Sequence, residues 1–301
     1  MNVELRAPGL DNLEALTDLI NRDSEELIGT REESVESLRD WLTGPSLNPE
    51  TDMRVAVVDG IFRGYVDLDD DPHPIYWADL RVPVSEPDEI REALFDWTEN
   101  RARERSGEVL RFHAVSNDTA TKQLLEARGL RVIRHFYRMR IELDEALEEP
   151  EWPDGVFVRT ANPEDTDAVY EAHQETFEDH WEHTRMPLDE WKHAFMSEGF
   201  DPELWFLAES DGELAGVSMC KQHEGEPDQG VVRVLGVRSA WRRKRLGRAL
   251  LLHSFHEFRR RGLKAAILGV DAESLTGAVR LYEQAGMKVS RRSDVYEKRL
   301  S

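Results

Sequence analysis

Apolar and polar positions in the second half of the chain predict a strand that leads into a helix. Residues 231–237, VVRVLGV, are mostly valine and leucine and follow the turn-forming PDQG at residues 227–230, which predicts a buried strand. Between Ala249 and Phe258 apolar side chains recur near every 3.6 residues, which predicts an amphipathic helix. The residues between these elements are polar and predict an exposed loop.

The first half of the chain has alternating strand and helix patterns. Apolar runs predict strands, 3.6-residue periodicity predicts helices, and Asp59-Gly60 between two apolar runs predicts a hairpin. The predicted elements are a strand at 3–7, a helix from Asp11 to Ile20, the hairpin at 53–66, a strand at 75–82, a helix at 89–105, a strand at 110–115, a helix at 119–128 and a strand at 131–143.

The second half repeats this order. Its turn Asp211-Gly212 lies 152 residues after Asp59-Gly60, and LYEQAGM at 281–287 matches LLEARGL at 124–130 at an offset of 157. Such a repeat indicates an internal duplication of one α/β unit. We therefore predict an α/β fold with mixed sheets in two domains, residues 1–145 and 155–301, joined by an acidic, proline-bearing linker at 144–155. Further elements are predicted at 156–159, 165–178, 205–220, 265–270, 275–284 and 289–299, the last a closing strand of the second domain.

The loop between the central strand and helix is strongly basic. It carries Arg238, Arg242, Arg243, Lys244, Arg245 and Arg248, and Gly247 stands where the helix opens. A helix amino end presents unpaired N–H groups and the positive end of a dipole, so it favours anions. Glycine at that point lets a bulky phosphate approach the backbone. The pattern predicts a phosphate-binding turn, although a solvated basic helix start is the simpler alternative.

These residues resemble motif A of the GNAT superfamily of acyl-CoA-dependent N-acyltransferases, whose loop reads Arg/Gln-x-x-Gly-x-Gly/Ala. The loop here is RRKRLG at residues 242–247, so Arg245 replaces the first glycine. Residues 268–287 resemble motif B, with Ser274 where the family often has asparagine and Met287 where it has phenylalanine. The resemblance covers nearly the whole chain and implies two tandem GNAT-like domains.

The resemblance also implies where acetyl-CoA binds. In the family, the strands of motifs A and B splay apart and the pantetheine arm enters the gap, where it can satisfy backbone groups that the sheet leaves unpaired. The implied cosubstrate-binding residues are Leu235, Gly236, Val237, Arg242, Arg243, Lys244, Arg245, Leu246, Gly247, Arg248 and Ser274.

Tyr282 stands where the family places a tyrosine that protonates the departing thiolate. The usual pKa of a phenol is about 10 and that of a thiol about 8.5, which permits efficient transfer. On spacing alone, a core residue beside Leu281 is the better interpretation, and the surrounding motif favours the acid. The base that accepts the amine proton stays open among Glu178, Asp179, His180 and His223.

FEDHW at residues 177–181 resembles a segment that lines the acceptor pocket in tandem GNAT proteins. It implies acceptor-binding roles for Asp179, His180 and Trp181, while Lys221 is either a surface residue or part of the pocket rim. The pair His180 and His183 lacks the signal of a third ligand, so we predict no metal site.

Charge and cysteine content restrict the class of partner. The 301 residues include 61 acidic and 39 basic ones, and the net charge of −22 argues against nucleic acid or an anionic membrane. The single cysteine, Cys220, excludes an internal disulfide and favours a cytoplasmic protein. No segment has a signal-peptide or membrane-spanning pattern. We expect a small-molecule amine as acceptor, and a monomer or a homodimer.

The first domain lacks the residues that the resemblance requires. Its loop, VSEPDEI, places Glu86 and Glu89 where the second copy has Arg242 and Arg245. Each close pair of an acid and a phosphate is repulsive by roughly 1 kcal/mol or more. Leu125 stands at the position of Tyr282. We predict that the first domain has lost catalysis.

The resemblance thus implies an acetyl-CoA-dependent N-acetyltransferase that acts on a primary amine of a small molecule by direct transfer. One alternative is mycothiol synthase-type acetylation of a cysteinyl amine, which is weakened because that group begins its motif A strand with an acid where this chain has Val231. The other is a non-catalytic acyl-CoA sensor. Arg245 and Ser274 favour the sensor, and Tyr282 and Gly247 oppose it.

Overall fold

The computed structural model describes residues 1–44, 48–70, 74–143, 147–197, 200–223, 225–274 and 277–300. The chain divides into a first unit, Met1–Phe136 with Glu224–Glu226 and Arg292–Ser301, and a second unit, Tyr137–His223 with Pro227–Arg291. Residues 144–146 of the predicted linker and Leu275, the predicted start of the last helix, lie outside the described residues. The predicted mixed α/β architecture is confirmed.

The sheet of the first unit has the order β1-β2-β3-β4-β5-β12, with a parallel pair at β4 and β5 and antiparallel pairs elsewhere. Side-chain caps begin three of its helices, because Ser34 accepts from the N–H of Ser37, Asn48 from that of Glu50 and Asp118 from that of Thr121. The elements in chain order are β1 Glu4–Arg6, α1 Leu13–Ile28, α2 Val35–Thr43, α3 Pro49–Asp52, β2 Met53–Val58, β3 Ile61–Asp70, β4 Ile75–Arg81, α4 Asp88–Glu104, β5 Val109–Val115 and α5 Thr119–Ala127, followed by β6 Arg131–Glu142, which continues into the second unit.

Two apolar layers cover this sheet. Leu94 and Leu125 of α4 and α5 pack with Phe112 on one face. Leu16 and Leu38 of α1 and α2 pack in a second cluster with strands β2 and β3. Helix α2 was not predicted from the sequence.

The sheet of the second unit has the order β6-β11-β10-β9-β8-β7, in which β10 and β11 are parallel. Helices α6 and α8 both pack on β9 and β10, the strands that carry the central motif. Helix α7 was not predicted. The elements are β7 Val156–Thr160, α6 Thr166–Phe177, α7 Leu188–Met196, β8 Trp205–Ser210, β9 Glu213–Gln222, β10 Gln229–Val237, α8 Leu246–Arg260, β11 Ala265–Asp271, α9 Ala278–Gln284 and β12 Lys288–Arg299.

The last strand differs from its predicted place. The sequence assigns it to the second domain, whereas Ser293–Arg299 pair antiparallel with Val109–Val115 of β5 in the first unit. Tyr296 lies in the apolar layer of α4 and α5, and its hydroxyl donates a hydrogen bond to Glu126. The end of the chain therefore completes the first sheet.

None of the helices in the described ranges is both long enough and apolar enough to cross a membrane.

Candidate active site

A gap between two parallel strands forms the centre of the candidate site. β10 and β11 pair only through Gln229–Val231 with Ala265–Ile267, although β10 continues to Val237 and β11 to Asp271. The other edge of β10 stays paired with β9 as far as Val237. The diverging halves of β10 and β11 therefore expose backbone N–H and C=O groups that an amide-bearing chain can satisfy.

Helix α6 lies directly on β10 at Gly236. A Cβ atom at Gly236 would lie 2.4 Å from Oγ1 of the buried Thr176, so only glycine fits at this crossing. Leu235 and Val237, on either side, are half-buried against the core that α8 covers. The structure thus places Leu235, Gly236 and Val237 at the open part of the strand.

The basic loop contains two residues in the left-handed backbone region. Arg245 has a φ of 64° and Arg243 a φ of 63°. A residue with a side chain is less stable in this conformation by about 1–2 kcal/mol, and glycine avoids that penalty. The family motif has glycine where this chain has Arg245, and glycine is the residue that this conformation favours.

The turn leads into an uncapped helix. Arg245 is the N-cap residue of α8 and gives no side-chain hydrogen bond to the first turn. Gly247 is buried, and a Cβ atom there would lie 3.3 Å from Leu281 and 3.4 Å from Val237, closer than most such contacts. The first turn of α8 can therefore present its N–H groups to an anion, next to the gap between β10 and β11.

Four of the six cations of the loop contact acidic residues, and one of them is Arg238, whose Nε atom lies 2.6 Å from Glu175. The Nε atom of Arg242 donates to the carbonyl oxygen of Val237 at 3.1 Å, and its Nη1 atom contacts Asp179 at 2.5 Å. Two further cations contact acidic residues of the predicted linker: Arg248 pairs with Glu148, and Arg245 lies 3.5 Å from Glu151.

Arg243 and Lys244 are exposed, and no acid in the described part of the chain pairs with them. The sequence predicted an acidic linker at 144–155. It did not predict that acids of this linker approach Arg245 and Arg248.

Tyr282 lies on α9 within the core of the second unit. Its side chain is 9% exposed, and burial raises its pKa to about 12. Within the described ranges, no residue forms a hydrogen bond with its hydroxyl. Ser274 is half-buried in the loop before α9, where its N–H donates to the carbonyl of Asp271 at 3.1 Å. Ser274 and Tyr282 both come after β11 in the chain.

An aromatic cluster lies on the α6 and α7 side. His173 accepts a hydrogen bond at Nδ1 from the indole N–H of Trp191 at 2.7 Å, so its own proton is on Nε2. Burial, and then nearby His183, Arg233 and His180, lower the pKa of His173 to about 4. His173 therefore stays neutral near pH 7. This pair was not predicted from the sequence, although Trp191 and Phe195 recur at helical spacing on α7.

His180 belongs to the same cluster. Its ring lies 4.1 Å from that of Phe177, and burial lowers its pKa, with Asp271, Asp179 and Arg242 among its charged neighbours. His180 is therefore beside the residues that bound the gap. Trp181 follows in a turn and is half-buried.

Lys221 and His223 lie at the other end of β10. Lys221 is paired with Val231, six residues before Val237, which corresponds to roughly 20 Å along a strand. The N–H of His223 donates to the carbonyl of Gln229. These two residues are therefore not brought to the basic loop. Among the side chains that the structure describes, no group of three or more His, Cys, Asp or Glu residues could hold a metal ion.

Comparison with known proteins agrees with this geometry. Residues 166–287 match the model of the acetyltransferase (GNAT) family. The mycothiol acetyltransferase of Thermomonospora curvata is 35% identical over 235 residues, which cover 77% of this chain and 77% of that protein.

Solved structures extend the likeness to the whole chain. A GCN5-related N-acetyltransferase from Sphaerobacter thermophilus aligns with a TM-score of 0.81 and 30% identity over 99% of this chain and 95% of that one. A tandem GNAT protein from the clavulanic acid biosynthesis pathway aligns with a TM-score of 0.82 and 17% identity over 99% and 98%. The second likeness supports the tandem fold alone. The chain belongs to the GNAT family of acetyltransferases.

Proposed function

We propose that the second unit uses acetyl-CoA to acetylate a primary amine of a small molecule by direct transfer. The observation that carries this proposal is the gap between β10 and β11 beside an uncapped, basic helix start. A splayed strand pair suits an amide-bearing arm, and the helix start suits a pyrophosphate. Acyl-CoA is the cosubstrate of the family.

Different groups of residues would bind different parts of acetyl-CoA. The first turn of α8, with Leu246, Gly247 and Arg248, and the loop cations Arg242, Arg243, Lys244 and Arg245 would hold the pyrophosphate. Leu235, Gly236 and Val237 would hold the pantetheine arm through their backbone, and Ser274 would lie on the opposite wall. Arg242 also donates a hydrogen bond to the carbonyl of Val237, so one residue would both hold the pyrophosphate and fix the end of β10.

Backbone N–H groups near Gly236 and Val237 would stabilise the negative charge that develops on the carbonyl oxygen. Tyr282 would then donate its proton to the departing thiolate. Burial raises the pKa of Tyr282 to about 12, so the phenol keeps its proton near pH 7 and can act as the donor.

His180 is the best-placed of the four candidate bases. Asp179 is engaged by Arg242, and His223 lies at the far end of β10. Glu178 and His180 are both exposed, but the ring of His180 lies against Phe177, near Asp271 and Arg242. Because its pKa is lowered, His180 is neutral near pH 7 and can accept the proton of an ammonium. Asp179, His180 and Trp181 would line the acceptor side. Lys221, paired with Val231 some distance away, would contact only the far rim.

The first unit would be non-catalytic. Its corresponding loop carries Glu86, which pairs with Arg22 at 3.0 Å and Arg63 at 3.1 Å, and Leu125 is fully buried at the position of Tyr282. Buried Arg91, which stands at the position of Gly247, donates to the carbonyl of Val82 and to Asp88, so its charge is engaged within the first unit.

Mycothiol synthase-type acetylation of a cysteinyl amine is a second candidate, because curated relatives named mycothiol acetyltransferase are 35% identical over most of the chain. Val231 at the start of β10 opposes it, as this position lacks the acid of that group. With Cys220 as its single cysteine the chain has no internal disulfide, which supports a cytoplasmic location.

Thioester cleavage over a panel of amines tests the proposal. The panel includes simple primary amines and a cysteinyl amine on a sugar–inositol scaffold. We expect amine-dependent release of CoA together with an N-acetylated product. Acetyl-CoA binding without turnover on any amine would instead support a non-catalytic sensor.

A further inference from the structure

His173 carries a hydrogen-bond donor that neither the fold nor the proposed reaction uses. The residue lies on α6 of the second unit, and its side chain is 8% exposed. Its Nδ1 atom accepts the indole N–H of Trp191 at 2.7 Å, which leaves the ring proton on Nε2. No residue in the described part of the chain accepts a hydrogen bond from this Nε2–H group.

Solvent reaches this donor, although most of the ring is buried. Within the described ranges, side-chain polar atoms that are fully buried without a partner occur on arginine and aspartate residues only. The Nε2 atom of His173 is not one of them and therefore keeps an accessible surface. A ligand atom can approach it there.

His173 lies beside the groups that carry the proposed reaction. Thr176, one turn further along α6, donates to the carbonyl of His173 at 3.1 Å and lies against Gly236. The rings of His173 and His180 both pack on Phe177, with centroid distances of 4.7 and 4.1 Å. The donor is thus close to the strand that would hold the thioester and to the residue proposed as the base.

Aromatic side chains surround the donor. Phe177 and Phe195 contact the His173 ring at 4.7 and 5.1 Å, both in edge arrangements, and Trp191 lies at 6.3 Å. Phe177 and Phe195 are themselves partly exposed. A ligand on this side therefore meets a mainly apolar wall that contains the Nε2–H group.

The donor is uncharged near pH 7. Burial, and then the nearby side chains of His183, Arg233 and His180, lower the pKa of His173 to about 4. None of these neighbours is a carboxylate, so no acid in the described ranges competes for the N–H. An uncharged N–H group in this setting suits an oxygen lone pair of a hydroxyl or a carbonyl group.

Such a donor selects between acceptor substrates. A substrate that covers the donor removes its water, and an N–H group left without a partner is then unfavourable. A site that binds a polar group of its substrate therefore discriminates strongly against analogues that lack this group. The oxygen has to be close to the amine, because His173 and His180 share Phe177 as a neighbour.

We propose that His173 determines acceptor specificity, because its Nε2–H group binds an oxygen atom close to the acceptor amine. The preferred acceptors are then amino alcohols or α-amino carbonyl compounds rather than plain alkylamines. This inference rests on the proposed acetyl transfer and adds a chemical class of acceptor to it.

Initial rates with matched amines test the proposal. Phenylalaninol and phenylalaninamide carry the oxygen as a hydroxyl and as a carbonyl group. The amine 1-phenylbutan-2-amine has a methyl group in place of the hydroxyl of phenylalaninol. We expect kcat/KM to be at least about tenfold higher for the alcohol, the amide or both than for the alkylamine.

Variants of His173 separate binding from packing. The side-chain oxygen of asparagine can accept the Trp191 N–H, but its amide does not reach the position of Nε2, whereas glutamine can place an N–H there. His173→Asn should therefore bring the kcat/KM values close together, and His173→Gln should restore part of the preference. Tyr170→Phe is the control and should keep the preference, because Tyr170 also packs on Trp191 and its hydroxyl donates to the carbonyl of Met186.

Equal kcat/KM for all of these amines in the natural chain, or a preference that survives His173→Asn, would overturn the proposal. An equal loss with every amine in His173→Asn would overturn it too, since a purely structural role predicts that result.

A failure of the proposed function has a different signature, because no amine would then be acetylated. Calorimetric titration with the same amines in the presence of acetyl-CoA then decides the inference. Binding of the alcohol or the amide should be at least about tenfold tighter than that of the alkylamine, and His173→Asn should remove the difference. Equal affinities, or no saturable binding, would overturn the inference.

Discussion

Tyr282 combines a buried ring with a hydroxyl that no described residue engages. Burial raises its pKa to about 12, so the phenol keeps its proton across the pH range in which the chain is expected to act. A residue that served only packing would not need the hydroxyl, because phenylalanine fills nearly the same volume. The proposed function of Tyr282 therefore depends on its hydroxyl group.

Tyr282→Phe should lower kcat by about 10²-fold or more and leave the KM for acetyl-CoA nearly unchanged, because general acid catalysis acts in the transition state. Steady-state kinetics measure both. Tyr170→Phe is a matched control, since Tyr170 is also buried and its hydroxyl donates to the carbonyl of Met186. It should cost about 1 kcal/mol of stability and keep turnover. Normal turnover in Tyr282→Phe would mean that another group supplies the proton.

Arg245 occupies a backbone conformation that glycine adopts more easily. Arg245→Gly should raise the free energy of unfolding by about 0.5–1 kcal/mol, since relief of the left-handed conformation exceeds the added chain entropy. Urea denaturation measures this change. Arg243→Gly should behave alike, whereas Lys244→Gly, without a positive φ, should destabilise the protein. Destabilisation by all three substitutions would show that side-chain contacts dominate the turn.

Asp23 should make stability depend on pH. Its pKa is raised to about 7 in the fold, mainly by burial, from the ordinary value of 3.8. The folded state therefore binds more protons than the unfolded state, and this contribution is present below pH 4 and lost as pH rises to about 7. Asp23→Asn should be more stable than the natural chain at pH 8, by several kcal/mol at most, and the gain should vanish near pH 4.

Asp18→Asn should give no such profile, since Asp18 is exposed. A pH-independent effect of Asp23→Asn would contradict the assigned protonation. Thermal or urea unfolding at both pH values makes this comparison.

At the scale of the elements, the linker lies against the start of α8. Glu148 pairs with Arg248, Glu151 lies 3.5 Å from Arg245, and Trp152 contacts the ring of His253. These acids would compete with phosphates for the same cations. Both acids are exposed, so each pair contributes little to stability.

Glu148→Gln with Glu151→Gln should tighten acetyl-CoA binding about two- to fivefold at low salt, and the gain should disappear at high salt. Asp154→Asn is the control, because Asp154 is an exposed acid of the same segment. Calorimetry at two salt concentrations measures the effect. Weaker binding in the double variant would mean that the linker supports the basic loop in its binding conformation.

The sequence predicted the elements that are locally encoded. The hairpin turns, the central strand and the basic loop agree with the structure, because turn chemistry and apolar periodicity depend on neighbouring residues. Trp191 and Phe195 have the spacing of a helix, but helix α7 was not predicted from it. The contact between His173 and Trp191 joins two helices, and no local pattern encodes it.

At the scale of the whole molecule, the last strand shows what a sequence pattern leaves open. Residues 293–299 have the alternation of an edge or inner strand, which is compatible with either sheet. The choice depends on long-range packing, here the burial of Tyr296 with α4 and α5. The contacts of Arg81 with Asp23 and Glu32 are similar, since these residues come from separate segments and meet only after folding.

The central claim is that the second unit alone binds acetyl-CoA, at its basic loop. Calorimetric titration of the full chain with acetyl-CoA tests this most directly. Arg242→Glu reverses a charge in the proposed site, and Arg103→Glu on α4 reverses one in the first unit at a partly exposed position. We predict one site per chain, weakened by Arg242→Glu and by added salt, and unaffected by Arg103→Glu. Two equal sites, or binding that Arg242→Glu leaves intact, would contradict the account.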